Sequence, residues 1–407
     1  MKKCMTLLLA GLLLLAALTA CGKAPAVSEP DFSEVSEVSV PVSTDESSEL
    51  AEPETTTTTA GSNTTAKPTT TKLVSKAPTA KTPTTEAPTT TAPKKPEVRI
   101  TTIAGPTGVG MAQLMAQNDA QKTANAYTFD VVDDPTKAVA AVSNGSTDIA
   151  AVPTNLAATL YKKTSGKVQI LAVNTLGVLY MLDNGAGIKA VADLKGKEIY
   201  SSGQGANPEY VLRYILEKNG LDPDQDVTLH FVEDNDVKLH FVEDNDALTA
   251  AIVQGAAQVA MVPEPKVTVC LVQMKAAGKT VPTVALNMTE EWNKVAGGSS
   301  TLMMGCVIAR KEFVEKNGAA VQAFLKEYES SITAVKSDVE AAAGWCETYK
   351  IIPKAAIAKQ AIPRCGLTFV TGAAMKQQLS GYLDVLFKAN PKVVGGSMPA
   401  DDFYYGS

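Results

Sequence analysis

Residues 148–161 read DIAAVPTNLAATLY, and this stretch decides the fold. Asp148 to Val152 is an apolar run of strand length, of the kind buried on both faces of a sheet. Pro153 and Thr154 turn the chain, and Asn155 to Tyr161 continues as a helix. A buried strand leading through a short turn into a helix is the unit of an α/β sheet. The same unit opens the folded region, where the strand Val98 to Ala104 passes through Gly105-Pro106-Thr107-Gly108-Val109-Gly110 into a helix over Gly108 to Asn118. It recurs further on, where Ile199-Tyr200 leads through Ser201 to Asn207 into a helix from Pro208 to Asn219.

Outward from these units, strands are expected at Thr128 to Val132, Val168 to Asn174, Val178 to Leu182, Val259 to Val262 and Thr301 to Ala309. Helices are expected at Thr136 to Ser143 and Ala247 to Gln254, and from Lys311 to about Asn390. The alternation predicts an α/β fold of mostly parallel sheets with helices on both faces. From Glu97 onward there are about 310 residues, more than one simple core takes, so two lobes are expected. The first lobe spans 97–185, the second 186–298, and the chain returns to the first over 299–407. Phe403, Tyr404 and Tyr405 should staple the irregular tail to the domain.

Upstream the composition changes. Between Gly22 and Pro96, threonine runs such as Thr55 to Thr59 and Thr69 to Thr71 alternate with Pro, Ala, Ser and Glu. Such a segment cannot bury enough apolar surface to offset the entropy of ordering it. Residues 21–96 therefore read as a disordered tether, with a random-coil reach of roughly 50 Å. Ahead of it, Lys2 and Lys3 precede an apolar run from Met5 to Leu18, the pattern of an export signal over residues 1–20. The run ends in Leu18-Thr19-Ala20-Cys21, which resembles the bacterial lipobox. That resemblance makes Cys21 the lipidated first residue, anchoring the chain to the extracytoplasmic face of the cell membrane, and removes Cys4.

The net charge of −6 gives no basic face for nucleic acid. Cys346 and Cys365 form the candidate disulfide of an exported domain, while Cys270 and Cys306 fall in apolar segments and read as buried thiols. No cysteine spacing suits a metal or redox centre, and no cofactor is expected. VTLHFVEDND at 227–236 is followed at once by VKLHFVEDND at 237–246, nine of ten positions matching. One copy should supply a strand and Asp246 the cap of the next helix, leaving the other to loop out. His230 and His240 are one position copied, which makes them poor metal ligands.

The three strand–turn–helix units share a further property. At each helix start, free backbone N–H groups and the helix dipole can receive an anion or polar oxygen. Thr107, Thr154, Asn155, Ser202, Gln204 and Asn207 would add hydrogen bonds. Ligands of open α/β sheets collect beyond the carboxyl ends of strands, where these loops lie. The first loop fits neither a P-loop nor G-x-G-x-x-G.

GPTGVGMAQLM (105–115), DIAAVPTNLAATLY (148–161), VADLKGKEIYSSGQGANPEYVL (191–212) and GAAQVAMVPEPKVT (255–268), in this order, resemble the extracytoplasmic solute-binding proteins of ABC importers. The branch is the type II fold of nitrate, sulfonate, taurine and thiamine-precursor binders, and the likeness runs over residues 98–407. It implies two lobes closing over a small acidic or zwitterionic molecule, a sulfonate, nitrate or related compound, with hinge crossings near Asp183 to Gly187 and Gly297 to Leu302. It implies a monomer that serves a permease and its ATPase. The implied cleft residues are Pro106, Thr107, Gly108, Thr154, Asn155, Ser202, Gly203, Gln204, Asn207 and Glu264, with Asn174 and Thr175 from the first lobe. Glu264 either meets an amine of the ligand or holds the hinge. Replacing Gly108 or Gly203 with a β-branched residue is expected to weaken binding and leave the fold intact. An enzyme is disfavoured for want of clustered His, Cys or paired carboxylates. An aminopyrimidine binder and a sensing or adhesive surface lipoprotein stand as alternatives.

Overall fold

The computed structural model describes residues 94–231 and 245–407. The expected signal, Cys21 with its expected lipid, the expected tether up to residue 93, and residues 232–244 with most of the second decapeptide lie outside them. The folded unit begins with β1 (Glu97–Ile103), the short α1 (Pro106–Val109), α2 (Ala112–Asp119) and β2 (Ala126–Val132). There follow α3 (Pro135–Ser143), β3 (Ile149–Pro153), α4 (Thr154–Lys163), β4 (Val168–Leu176) and β5 (Leu179–Asp183). Next come β6 (Glu198–Ser201), α5 (Asn207–Lys218), β7 (Thr228–Phe231), α6 (Asn245–Gln254), β8 (Val259–Pro263), α7 (Lys266–Ala276), β9 (Thr283–Asn287) and α8 (Met288–Ala296). The return comprises β10 (Met303–Arg310), α9 (Lys311–Lys316), α10 (Gly318–Ser337), α11 (Val339–Thr348), α12 (Ala355–Ala361), β11 (Leu367–Val370) and α13 (Gly372–Ala389).

Two sheets form, one per lobe. The first has the order β11-β4-β10-β3-β1-β2 and the second β7-β6-β8-β5-β9. The strand–turn–helix units supply the parallel pairs β1–β2, β1–β3, β6–β7 and β6–β8. The strands entering from the other lobe pair antiparallel, β10 against β3 and β4, and β5 against β8 and β9. The sheets are therefore mixed rather than mostly parallel. β11 interrupts the long helical stretch expected after Lys311 and pairs antiparallel with β4.

The first crossing between lobes lies earlier than expected. β5 belongs to the second sheet, so the chain crosses at Gly177 and Val178, and the second lobe begins near 177 rather than 186. The crossing is tight: a Cβ on Gly177 would sit 2.2 Å from Thr289 Oγ1 and 2.8 Å from Leu302 Cδ1. Asp183, placed at the hinge by the sequence, instead caps a turn within the second lobe. Its carboxylate accepts from the N–H groups of Ala186, Gly187 and Ile188 at 2.6, 3.0 and 3.0 Å. The chain returns to the first sheet between α8 and β10, over 297–302.

Alternation along the strands sorts the apolar side chains into layers. Ile149, Ala151, Leu171, Ala172, Val307 and Ala309 join a core confined to the first lobe, under α2, α10, α11 and α12. Tyr180, Leu182, Ala260 and Val262 join one confined to the second lobe, with α6 and α7. The opposite faces of both sheets share one continuous core containing Val152, Ile170, Met181, Met261, Leu216, Trp292 and Tyr382. The tail docks as expected: Phe403 is buried, and Tyr405 N–H donates to Ile170 O at 3.0 Å.

Cys346 and Cys365 are free thiols, not a disulfide. Both fill the first-lobe core, and burial pushes the Cys346 thiol up to about 12 and that of Cys365 well above its ordinary range. Each side chain is thereby held as a protonated, unreactive apolar filler. Cys270 and Cys306 are buried thiols as expected. Asp246 sits within the first turn of α6 rather than ahead of it.

Candidate functional site

The first loop, after β1, is shaped by backbone constraints. Gly105 has φ +95°, and its N–H donates to Ile351 O at 2.7 Å. A Cβ on Gly108 would lie 2.1 Å from the Ile103 carbonyl oxygen, so only glycine lets α1 return this closely over β1. Pro106 and Thr107 are half-buried. Asn174, near the end of β4, donates through Nδ2 to Thr107 O at 2.9 Å and to the Tyr328 hydroxyl at 2.7 Å, and its Oδ1 accepts from Thr175 at 3.1 Å. Asn174 and Thr175 therefore fasten the loop to the sheet.

The second loop carries the chain from β3 straight into α4. Thr154 is fully buried, and its hydroxyl donates to Met303 O at 2.6 Å, fixing the helix start against β10. No side chain caps α4, and no acidic residue occupies its first turn. Its N-terminal partial positive charge is thus left for something else to meet.

The third loop belongs to the other lobe. Ser202 donates to Asn245 Oδ1 at 2.8 Å, Gly203 turns the backbone at φ +79°, and Gln204 is exposed. At the start of α5, Asn207 reaches across to the first lobe, its Nδ2 donating to Asn155 Oδ1 at 3.1 Å. Asn207 is only 7% exposed, yet its other amide atom is buried without a partner. A buried amide atom left unpaired costs about 1–3 kcal/mol. Here the orphan lies one bond from the first turn of α4.

Glu264 does not join this group. Its side chain is fully buried and pairs with Arg364 from the first lobe. Thr268 completes its coordination, through its N–H at 3.2 Å and its hydroxyl at 3.1 Å. Burial raises the carboxyl, and the Arg364 charge works against that shift. The sequence left open whether Glu264 meets the ligand or holds the hinge; its N–H also donates to Val178 O at 3.0 Å, beside the first crossing.

The structure thus joins Asn155 with Asn207, and Thr107 with Asn174 and Thr175, while Glu264 and Gln204 stand apart. Sequence reasoning missed Arg364, Thr268 and Tyr328. Arg364 left a trace, as the lone charge in the run from Gln360 to Met375. Two surface cavities, of 320 Å³ beside Lys326 and Tyr405 and of 370 Å³ beside Lys197 and Tyr200, lie away from these loops. Among the described residues no group of side chains could hold a metal, and no helix is long and apolar enough to cross a membrane.

Residues 111–284, covering two of the three loops and the first crossing, match the family model of the ABC-transporter phosphonate periplasmic substrate-binding proteins. Over this stretch the chain is similar to the substrate-binding proteins of ABC transporters. An ABC transporter structure from Parabacteroides distasonis resembles this chain with a TM-score of 0.61 at 20% identity, over 75% of this chain and 98% of that one. The periplasmic aliphatic sulphonate binding protein SsuA from Escherichia coli aligns at 0.55 and 17%, over 74% and 90%. The alkanesulfonate-binding protein SsuA from Xanthomonas axonopodis pv. citri, bound to MOPS, aligns at 0.51 and 16%, over 74% and 96%. At such identities the likeness is one of fold. No curated protein sequence matches the chain.

Proposed function

We propose that this binding protein captures a small oxyanion, a sulfonate, phosphonate or nitrate, between its lobes and delivers it to an ABC permease and its ATPase. The Asn155–Asn207 contact carries the reading, because it sets the Nδ2 group of Asn207 beside the uncapped start of α4 where the two lobes touch. An oxyanion would accept from the free N–H groups of that helix start and from the second Nδ2 hydrogen of Asn207. The kinship to sulfonate and phosphonate binders supports the class. With Glu264 turned to Arg364, an amine or aminopyrimidine loses its expected partner, so the zwitterionic and thiamine-precursor alternatives recede. Lipidation at Cys21 and the tether would keep the domain near its transporter.

The test is a thermal-shift panel on the exported chain with alkanesulfonates, phosphonates, nitrate, taurine and aminopyrimidines. A true ligand at 100 times its Kd adds about 2.7 kcal/mol, which raises the melting temperature by several degrees. Stabilisation by the plain oxyanions is expected. Stabilisation by aminopyrimidines alone would overturn the oxyanion reading, and no response to any compound would favour a sensing or adhesive role.

A further inference from the structure

The helices α4 and α5 start in opposite lobes and are linked by their first residues, Asn207 Nδ2 donating to Asn155 Oδ1 at 3.1 Å. The atom of Asn207 left over is Oδ1, an acceptor, buried and without a partner in a residue only 7% exposed. The hydroxyls of the neighbouring loops are committed elsewhere. Thr154 donates to Met303 O, Ser201 to Ser202 O and Ser202 to Asn245 Oδ1. The loops themselves, 105–110, 153–156 and 201–208, contain no charged residue. Charges on the helices that meet here are also engaged. Glu209 of α5 accepts from Gly205 N–H and from Arg213, both at 2.7 Å, and Asp246 of α6 pairs with Lys266. The lysines of α4 stand in its last turn, and the Tyr210 hydroxyl of α5 accepts from Asn390 at 2.9 Å.

We infer that Asn207 is a specificity-determining residue whose Oδ1 accepts a hydrogen bond from the bound oxyanion itself. The site then selects an oxyanion that keeps one ionisable proton, such as an alkylphosphonate monoanion, over one that has none. The inference rests on the oxyanion reading proposed above and narrows its class. Two observations converge on it. A fully deprotonated oxyanion brings only acceptors, which suit the free N–H groups at the start of α4 but leave Oδ1 unpaired; a P–O–H hydrogen satisfies it. Charge gives the same answer. A helix N-terminus carries roughly half a unit of positive charge, and Glu209 in the first turn of α5 already offsets part of one. With no cation in the loops, this balances a single negative charge at most, and a buried dianion would be under-compensated. Sulfonates and nitrate are single anions without a hydrogen on their oxygens. The singly protonated phosphonate meets both conditions, and a site built to bond a hydroxyl discriminates against an analogue that lacks it.

Calorimetric titration of the exported chain with methylphosphonate and methanesulfonate, at about pH 6 and about pH 9, tests it. The two compounds share one shape. Methanesulfonate does not ionise in this range, so its affinity reports any change in the protein alone. At the lower pH the phosphonate should bind at least about tenfold more tightly than the sulfonate. That preference should shrink at the higher pH, where the phosphonate has lost its second proton. This comparison needs no variant. Asn207→Ala should bring the two affinities together, with the phosphonate losing more than the sulfonate. Equal affinities in the parent chain at the lower pH, a preference that grows as pH rises, or one that persists in folded Asn207→Ala would overturn the inference and leave the oxyanion reading standing. Binding of neither compound, with stabilisation by aminopyrimidines, would overturn that reading and the inference with it.

Discussion

Asn207 is the residue whose removal separates binding from stability. Its amide touches Asn155 and leaves one buried atom unpaired. Cutting it back to alanine removes that unpaired group from the empty protein and a hydrogen-bond partner from the occupied one. Asn207→Ala should therefore weaken solute binding by about tenfold or more, the equivalent of at least 1.4 kcal/mol, with little change in melting temperature. Calorimetric titration beside a melting curve checks both, and equal affinity in the two proteins would place the site elsewhere. Gly108 is the opposite case. The sequence suggested that a larger residue there would touch binding alone. With a Cβ placed 2.1 Å from the Ile103 carbonyl, Gly108→Val must shift β1 or α1. It should cost about 1–3 kcal/mol or more in urea unfolding, and an unchanged midpoint would contradict the close approach. Gly203, at φ +79°, is strained for any other residue.

At the scale of elements, Asp148 ties three strands. It sits at the foot of β3 and pairs with Arg99 of β1 at 2.7 Å and with Arg310 of β10 at 2.5 Å. Burial pushes its carboxyl up, but the hydrogen bonds from Arg99 and Arg310 outweigh burial and hold it below its ordinary value of 3.8. A carboxyl with a depressed folded value stabilises the native state above its unfolded value, and that contribution disappears as pH falls through the folded value. Asp148→Asn should thus lower the urea midpoint at pH 7, and the gap to the parent should narrow below about pH 4. A gap that widens in acid would refute the pairing. The strand–turn–helix units around Asp148 were legible because each depends on neighbours within a dozen residues. What the sequence hid was partnership at long range. β5 reads as a buried strand in either sheet, and only its pairing with β8 and β9 places it in the second lobe. β11, four residues inside a helical stretch, becomes a strand only because β4 offers an edge. The partner of Glu264 lies 100 residues away, beyond any local pattern. Of the candidate site, the loops were visible in the sequence, while the division between ligand-facing and fastening side chains needed the packing.

At the scale of the whole molecule, the shared core makes the two lobes one folding unit. Trp292 of α8 is fully buried between Tyr214 of α5, at a centroid distance of 4.3 Å, and Tyr382 of α13, at 5.5 Å. Its Nε1 donates to Ser300 Oγ at 3.1 Å, on the second crossing. One indole therefore touches a second-lobe helix, a first-lobe helix and the strand of chain between them. A domain of two lobes with private cores would melt in two steps, because each could unfold without exposing the other. Here unfolding either lobe strips the other of Trp292 or Tyr382, so the transitions should merge. Scanning calorimetry of the parent chain is expected to give one peak whose calorimetric and van't Hoff enthalpies agree. Trp292→Ala removes about 3–5 kcal/mol of packing, and it removes it from the junction rather than from either lobe. The variant should show a lowered melting temperature and a split or broadened peak. A single sharp peak at reduced temperature would mean that the remaining shared core couples the lobes without the indole, and two peaks in the parent would mean that the lobes never shared one.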